Sequence, residues 1–538
     1  MNLAQHLPIL PVLVPAITAV LLLLLGDADE QRAWARRLAL ASALLGAVFA
    51  FQLVDLAGSG VLTVYRLGEW PAPFGIVLVV DRLSALMLAL SAAVALPVLM
   101  YASGGWDAKG RHFHALFQFQ LMGLNGAFLT GDLFNLFVFF EVLLIASYVL
   151  MTHGLGRERL RVGTHYVVLN LAASALFLVG MALMYGLTGT LNLADLAVRV
   201  PRIEGGEASL LQAGALLLLV VFGFKAALVP LAMWLPATYA AASAPVAALF
   251  AIMTKVGVYA IWRIHGVVFG ADAGASAFTV QPILLPLALA TCVVGVLGAL
   301  AAHSMPRLIA WLTVASVGTI VAAIGLFSAA AWSAAMYYLV NSTLVIAGMF
   351  LLAELVATQR GRMADRLEPC SPVAQPVLLG LMLLLAAASN AGLPPLPGFV
   401  GKLMLLQAAA GHPWAVAVWT VVLVVGFFTL VGLARAGSIL FWAVRPDMPA
   451  NTVGGSPPRL LAATLALLVM SVLLSVWAAP IQRYTAAAAA QLQDRDAYSR
   501  AVLPESGGTE AQTTRPYRIP QPGPPPPLPL TDTNGAPR

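Results

Sequence analysis

Runs of about twenty apolar residues recur along most of the chain, separated by short polar stretches. Each is long enough to cross a roughly 30 Å hydrocarbon core as a helix. Fourteen spanning segments are predicted, at about 8–25, 38–57, 81–101, 113–130, 132–151, 163–186, 210–234, 243–264, 282–302, 307–327, 331–355, 374–411, 413–443 and 460–480. The twelfth is too long for one straight helix. Its middle reads NAGLPPLPGF, which predicts two half-helices around a break at Pro394, Pro395 and Pro397. The seventh carries Lys225 with Pro230 five residues later, and in the twelfth Lys402 follows Pro397 by five. If segments 4–8 and 9–13 are two repeats, the seventh and twelfth occupy matching places. Interrupted helices at matching positions of two halves point to a transport site. The order of proline and lysine is reversed between the two.

Composition agrees with a polytopic membrane protein. Of 538 residues 60% are apolar and 10% charged, where a soluble chain carries about 25% charged residues; the mean hydropathy is +0.89. The net charge of +6 is spread over short loops, which argues against nucleic-acid binding. With the N-terminus outside, the odd-numbered loops hold fourteen basic residues and the even ones five. The positive-inside rule then predicts periplasmic N- and C-termini in a bacterial inner membrane. The first basic residue, Arg32, follows the first apolar run. That order is the reverse of a signal peptide, so the run is expected to be a spanning helix. Cys292 and Cys370 stand far apart and the eight histidines are scattered, so no disulfide framework, metal site or haem is expected. Five regions result: helices 1–3 (1–112), a first repeat (113–265), a second (282–445), a last span (460–480) and a tail (481–538). In the tail, QRYTAAAAAQLQDRDAYSRAVL suggests a short surface helix. The Pro-rich stretch after it cannot build a core and is expected to be disordered.

Lysine usage is the chemical anomaly. There are only four lysines among 29 basic residues. Lys109 lies in a polar loop, but Lys225, Lys255 and Lys402 lie within FGFKAALVP, AIMTKVGVY and PGFVGKLML. Glu141 follows Asp132 by nine residues, which places it roughly 14 Å into the membrane. Intramembrane charge is costly and marks ion pathways. Snorkelling serves lysines near helix ends, but a glutamate is too short for it. A static Glu141–Lys225 ion pair is an alternative that leaves Lys255 and Lys402 unexplained. Arginine stays protonated in proteins, whereas a desolvated lysine can cycle near neutral pH. A proton pathway through Glu141, Lys225, Lys255 and Lys402 is therefore expected. His303, beside Arg307, is a candidate entry or relay residue, with membrane anchoring as its simpler role. Asp81 and Arg82 suggest an ion pair local to the outer end of the third segment. GFVGK is not a phosphate-binding loop, because Leu396 replaces its first glycine and Leu403 its hydroxyl residue.

GDLFNLFVFFEVLLIASYVL, FGFKAALVPLAMWLPATYAAASAPVAALFAIMTKVGVYAIWRI and AGLPPLPGFVGKLMLLQAA resemble the proton-conducting antiporter-like family. That family includes the large membrane subunits of respiratory complex I and of the multisubunit cation/proton antiporters (Mrp, Mnh, Sha or Pha). The resemblance runs over about residues 75–445. GIVLVVDRLSALML, LTGTLNLADLAVRV, MYYLVNSTL and FTLVGLARAGSILFW look like the D-type branch of the antiporter subunits, most of all the Pha type. It implies an all-α core of fourteen helices, inverted five-helix repeats and broken helices 7 and 12. It also implies that Glu141 tunes Lys225, that Lys255 passes the proton on and that Lys402 faces the exit. The chain departs from the family at Asn341, where many members have histidine, at Ser316, and in SMPRLIAWLT, which keeps Arg307 but loses neighbouring Asp, Lys and Tyr.

The expectation is a membrane subunit of a K⁺ or Na⁺/proton antiporter. It would work with companion membrane subunits in the lipid bilayer, without cofactor, metal or enzyme activity of its own. The alternatives are a proton-pumping subunit of a complex I type redox complex and an inert membrane scaffold.

Overall fold

The structure is a computed structural model that describes residues 3–26, 28–443, 445 and 454–503. Nineteen α-helices are described, joined by short turns. In chain order they are α1 (Leu10–Leu25), α2 (Asp29–Gly58), α3 (Arg82–Ala102), α4 (Phe113–Leu129), α5 (Leu133–Thr152), α6 (Arg157–Thr188) and α7 (Leu193–Arg199). Then come α8 (Gly205–Ala226), α9 (Trp234–Ala241), α10 (Ala244–Ile261), α11 (Gln281–Leu300), α12 (Met305–Ile324) and α13 (Ala329–Gln359). The last are α14 (Pro376–Ala391), α15 (Pro397–Ala409), α16 (Ala415–Gly437), α17 (Pro458–Val476), α18 (Ala478–Gln493) and α19 (Arg495–Val502). A two-stranded antiparallel ribbon, β1 (Thr63–Arg66) with β2 (Val77–Val80), is the exception to the helical class.

Each expected spanning segment coincides with helix. Twelve described helices are long and apolar enough to cross a membrane. The other two segments are α4, with 17 residues, and the pair α14 and α15, with 16 and 13. Polar side chains set several starts. Asp81, Asp132 and Ser328 accept the N–H of Ser84, Asn135 and Ala331 and so cap α3, α5 and α13. α10 and α13 form the centre, with 94% of their apolar windows buried, against 28% for α2 and α17. The peripheral helices therefore carry the apolar surface left for lipid or other subunits.

The loops sort into two ends. At one end Arg36 binds Asp107 at 2.6 Å, and His153 Nε2 lies 2.8 Å from the Trp106 carbonyl. There too Arg159 donates to Ala241 O at 2.9 Å, Met305 N to Asp365 O at 2.9 Å and Gln359 to Ser456 at 2.8 Å. These are the loops rich in basic residues. At the other end Gly131 N donates to Val77 O and Leu193 N to Gly131 O, both at 2.9 Å.

Two expectations change. The tail expected from 481 instead begins with α18 and α19, which pack on α13, α3 and α7. Gln491 accepts from Arg82 N at 3.0 Å and donates to Gly60 O at 3.2 Å, while Arg495 reaches Asp272 O at 2.7 Å. Of the five alanines in AAAAA, Ala488 and Ala489 are buried against the core, so the expected surface helix is present and one of its faces straps the molecule. The Pro-rich stretch from 504 lies outside the described residues. Asp81 also pairs differently. Its partner is Arg263, held through both oxygens at 2.6 Å, in a π-helical turn that continues α10. Arg82 turns instead to the Gly58 carbonyl. Both members of the Asp81–Arg263 pair are buried, and Tyr259 accepts from Arg263 Nε at 2.9 Å. The pair ties the start of α3 to the end of α10.

Candidate functional site: a track of buried lysines

Lys225 occupies the last turn of α8. The helix stops because Ala227 turns left-handed (φ 62°), its N–H closing back on the Gly223 and Phe224 carbonyls. Pro230 follows in the gap, and helix resumes at Trp234. The Lys225 ammonium donates to Asn170 Oδ1 at 3.1 Å. Glu141, on α5, accepts from Ser174 Oγ at 2.5 Å. Asn170 and Ser174 lie one turn apart on α6, so this helix holds the lysine with one side chain and the glutamate with the next. No Glu141–Lys225 ion pair within 4 Å exists among the described residues, and each charge rests on a neutral partner. The static pair weighed from the sequence is not formed.

Lys255 is fully buried in α10, and its hydrogen-bond partner is the neighbouring Thr254 hydroxyl at 3.3 Å. Two residues on, Gly257 lets α10 touch the end of α8. A Cβ there would stand 2.5 Å from Ala226 N and 2.8 Å from the Lys225 carbonyl carbon. The two lysine-bearing helices are thus in backbone contact, which only glycine allows.

Lys402 lies in α15, one turn past Pro397, which opens that helix. Pro394 and Pro395 stand in the gap after α14. The Lys402 ammonium reaches back across the break to Asn390 O at 3.1 Å and Ala391 O at 2.7 Å. These are among the last carbonyls of α14, which lack helical partners and carry the negative end of the helix dipole. This resolves the reversed order of proline and lysine. Lys225 stands at the C-terminal end of its own half-helix, and Lys402 reaches the corresponding end from the half-helix that follows. Gly398 permits this geometry, since a Cβ on it would overlap the Ser389 carbonyl oxygen.

Several residues at the site carry no charge and were not singled out from the sequence: Asn170, Ser174, Ser389 and Ser471. Asn341, on α13, accepts from Ser389 at 3.1 Å and from Ser471 at 2.8 Å, beside Gly398. Asn341 thus sets a hydrogen-bonded amide at the second helix break. Ser316 is buried in α12. His303 is exposed in the turn between α11 and α12, and the described contacts do not link its ring to the buried lysines. Among the described residues there is no group of three or more His, Cys, Asp or Glu side chains able to hold a metal ion.

A helical membrane protein with two interrupted helices and lysines buried without acidic partners belongs to the class of ion-translocating membrane subunits. The family described as NADH:quinone oxidoreductase/Mrp antiporter, TM, matches residues 130–429, and the chain belongs to it. It is 41% identical over 536 residues to the D subunit of a probable K(+)/H(+) antiporter of Rhizobium meliloti (strain 1021), covering 93% of this chain and 98% of that one. It is 38% identical to the D subunit of the Na(+)/H(+) antiporter of Alkalihalophilus pseudofirmus, covering 93% and 100%. Among solved structures it is similar to a chain of the Mrp complex from Dietzia sp. DQ12-45-1b, with a TM-score of 0.84, 29% identity and coverage of 94% and 100%.

Proposed function

We propose that the protein is the proton-conducting D-type subunit of a monovalent cation/proton antiporter of the bacterial inner membrane. It works beside other membrane subunits and has both termini on the periplasmic side. The observation that carries this is the burial of Lys225 and Lys255 in touching helices, each ammonium held only by neutral side chains. A lysine without a fixed counter-ion in an apolar site can take up and release a proton. Glu141 biases Lys225 from across α6, Lys255 carries the proton between the halves, and Lys402 hands it on at the second break. The two five-helix sets, segments 4–8 and 9–13, act as inverted repeats around this track. Pro230, Pro394, Pro395 and Pro397 keep the broken helices open. A proton crossing with the gradient supplies about 2.3 kcal/mol per 100 mV. The relatives' names support K⁺ or Na⁺ as the exchanged ion. The family description also spans redox complexes, and a proton-pumping subunit of that kind is the second reading.

The deciding experiment measures cation-induced proton movement in everted vesicles holding the complete complex, wild type against Lys225→Arg. Arginine keeps the charge but cannot release a proton. Lost exchange with normal assembly supports the relay, and full exchange removes it.

A further inference from the structure

The relay needs a place where protons enter, and one partly buried carboxylate outside it is unaccounted for. Glu354 lies near the end of α13, at the end of the molecule with the basic loops. Its Oε1 accepts from Trp106 Nε1 at 2.5 Å, while Oε2 is buried with no hydrogen bond within 3.5 Å, and the Tyr101 hydroxyl, which donates to Leu351 O at 3.4 Å, stands close to the carboxylate. Two clefts meet at this side chain, and Glu354 and Trp106 line both. One, of about 230 Å³, opens between Tyr101, Lys109 and Ser456. The other, of about 180 Å³, runs between α9, α10 and α13 past Tyr239, Ser243 and Ala247. Each has room for several waters. On α10 the second reaches Ala247, and Lys255 lies eight residues further on, roughly 12 Å along the helix axis.

We propose that Glu354 is the proton-loading group of this subunit. It takes a proton from water in the first cleft onto Oε2 and passes it to water in the second, toward Lys255. The inference rests on the lysine pathway proposed above. The surrounding charges favour a proton over a metal cation. The Lys109 ammonium stands 3.6 Å and the Arg159 guanidinium 5.5 Å from the Trp106 ring centre, next to the carboxylate. The other titratable groups at the clefts are Tyr101, Tyr239 and Asp365. One carboxylate oxygen beside two cations makes a poor metal cage, and because those cations favour the ionised carboxylate, a proton taken up from water is readily passed on. By the positive-inside rule this end faces the cytoplasm, and in everted vesicles it faces the medium.

The test is Glu354→Gln in the complete complex, in everted vesicles, with and without formate in the medium. The amide still accepts the Trp106 hydrogen bond but does not titrate. Exchange is expected to fall on the order of 100-fold or more. Formate, a carboxylate small enough for the clefts, is expected to restore much of it while leaving wild type and Lys225→Arg unchanged. Glu354→Asp, which keeps a titrating group, is expected to retain most exchange. Full exchange in Glu354→Gln overturns the proposal. So does a slowed variant that formate does not rescue, an Asp variant as slow as Gln, or a Gln variant that fails to assemble, since each makes Glu354 a strut. Full exchange in Lys225→Arg would fail the lysine pathway instead, with Glu354 still judged by its own response to formate.

Discussion

Gly398→Ala tests the second helix break directly. The added methyl would overlap the Ser389 carbonyl oxygen, far inside the 3.4 Å at which ordinary contact begins. Both atoms belong to backbone framework, so no side-chain rotation relieves the clash. α15 has to move away from α14 by about an ångström or more to restore ordinary contact. Lys402 bridges the same gap at 3.1 and 2.7 Å, and a shift of that size takes both bonds beyond hydrogen-bonding range. Hydrogen bonds to a charged group contribute about 1.5–3 kcal/mol each, and overpacking adds about 1–3 kcal/mol. The expected result is near-complete loss of cation-driven proton movement and a clear fall in the melting temperature of the detergent-solubilised complex. Gly186→Ala on α6, where nothing lies within 4 Å of the new methyl, is the control and should keep full activity. If Gly398→Ala keeps wild-type exchange and melting temperature, the close contact across the break, and the placement of Lys402 argued from it, is wrong.

Three other outcomes follow from the described contacts. Arg263→Met leaves Asp81 buried and unpaired, at a cost of about 3–5 kcal/mol. Arg263→Met with Asp81→Leu should recover much of that loss, read as thermal stability of the purified complex. Asn170→Ala removes the described hydrogen bond to the Lys225 ammonium, while Ser174→Ala frees Glu141. Each should slow exchange severalfold with normal abundance on immunoblots, and equal rates to wild type would exclude α6 from the mechanism. Asp107 supplies the pH test. Burial opposes its charge, but hydrogen bonds from His114 and Arg36 outweigh this and hold its carboxyl well below the usual carboxylate range. Its contribution is therefore fully present above about pH 4 and is lost only as pH falls toward the depressed value. Asp107→Asn should lower stability by about 2 kcal/mol at neutral pH, and the difference from wild type should shrink as pH falls below about 4; a difference that does not shrink there would refute the assignment.

Much of the architecture was legible because the bilayer permits so few solutions. A run of twenty apolar residues has to close its backbone hydrogen bonds internally, so segment positions could be read without tertiary information. The lysines were legible for the same reason, because charge in such surroundings stands out. Their partners were not. Asn170 and Ser174 are ordinary polar residues of a spanning helix, and nothing local marks which turn faces α5 or α8. The Asp81–Arg263 pair joins residues 182 positions apart, and the adjacent Arg82 made a local pair the natural guess. AAAAAQLQ carries too little apolar side-chain volume to predict burial, yet its smallness lets α18 lie against α13. Glu354 was passed over because it falls near a predicted helix end, where a carboxylate is ordinary until its neighbours are known.

The strap formed by α18 and α19 is also the last described part of the protein to be synthesised. The bond between Arg82 and Gln491 spans 409 positions, so its two ends emerge from the ribosome far apart in time. At about 5–20 residues per second the delay is roughly 20–80 s. Throughout that interval α3 and the β1–β2 ribbon wait without the cover they finally receive. A nascent chain lacking residues 478–502 lacks the side chains that bond the carbonyls of Gly60, Arg82 and Asp272. Ribosome-arrested chains should accordingly change from protease-sensitive to protease-resistant at that end only when the arrest point passes this stretch.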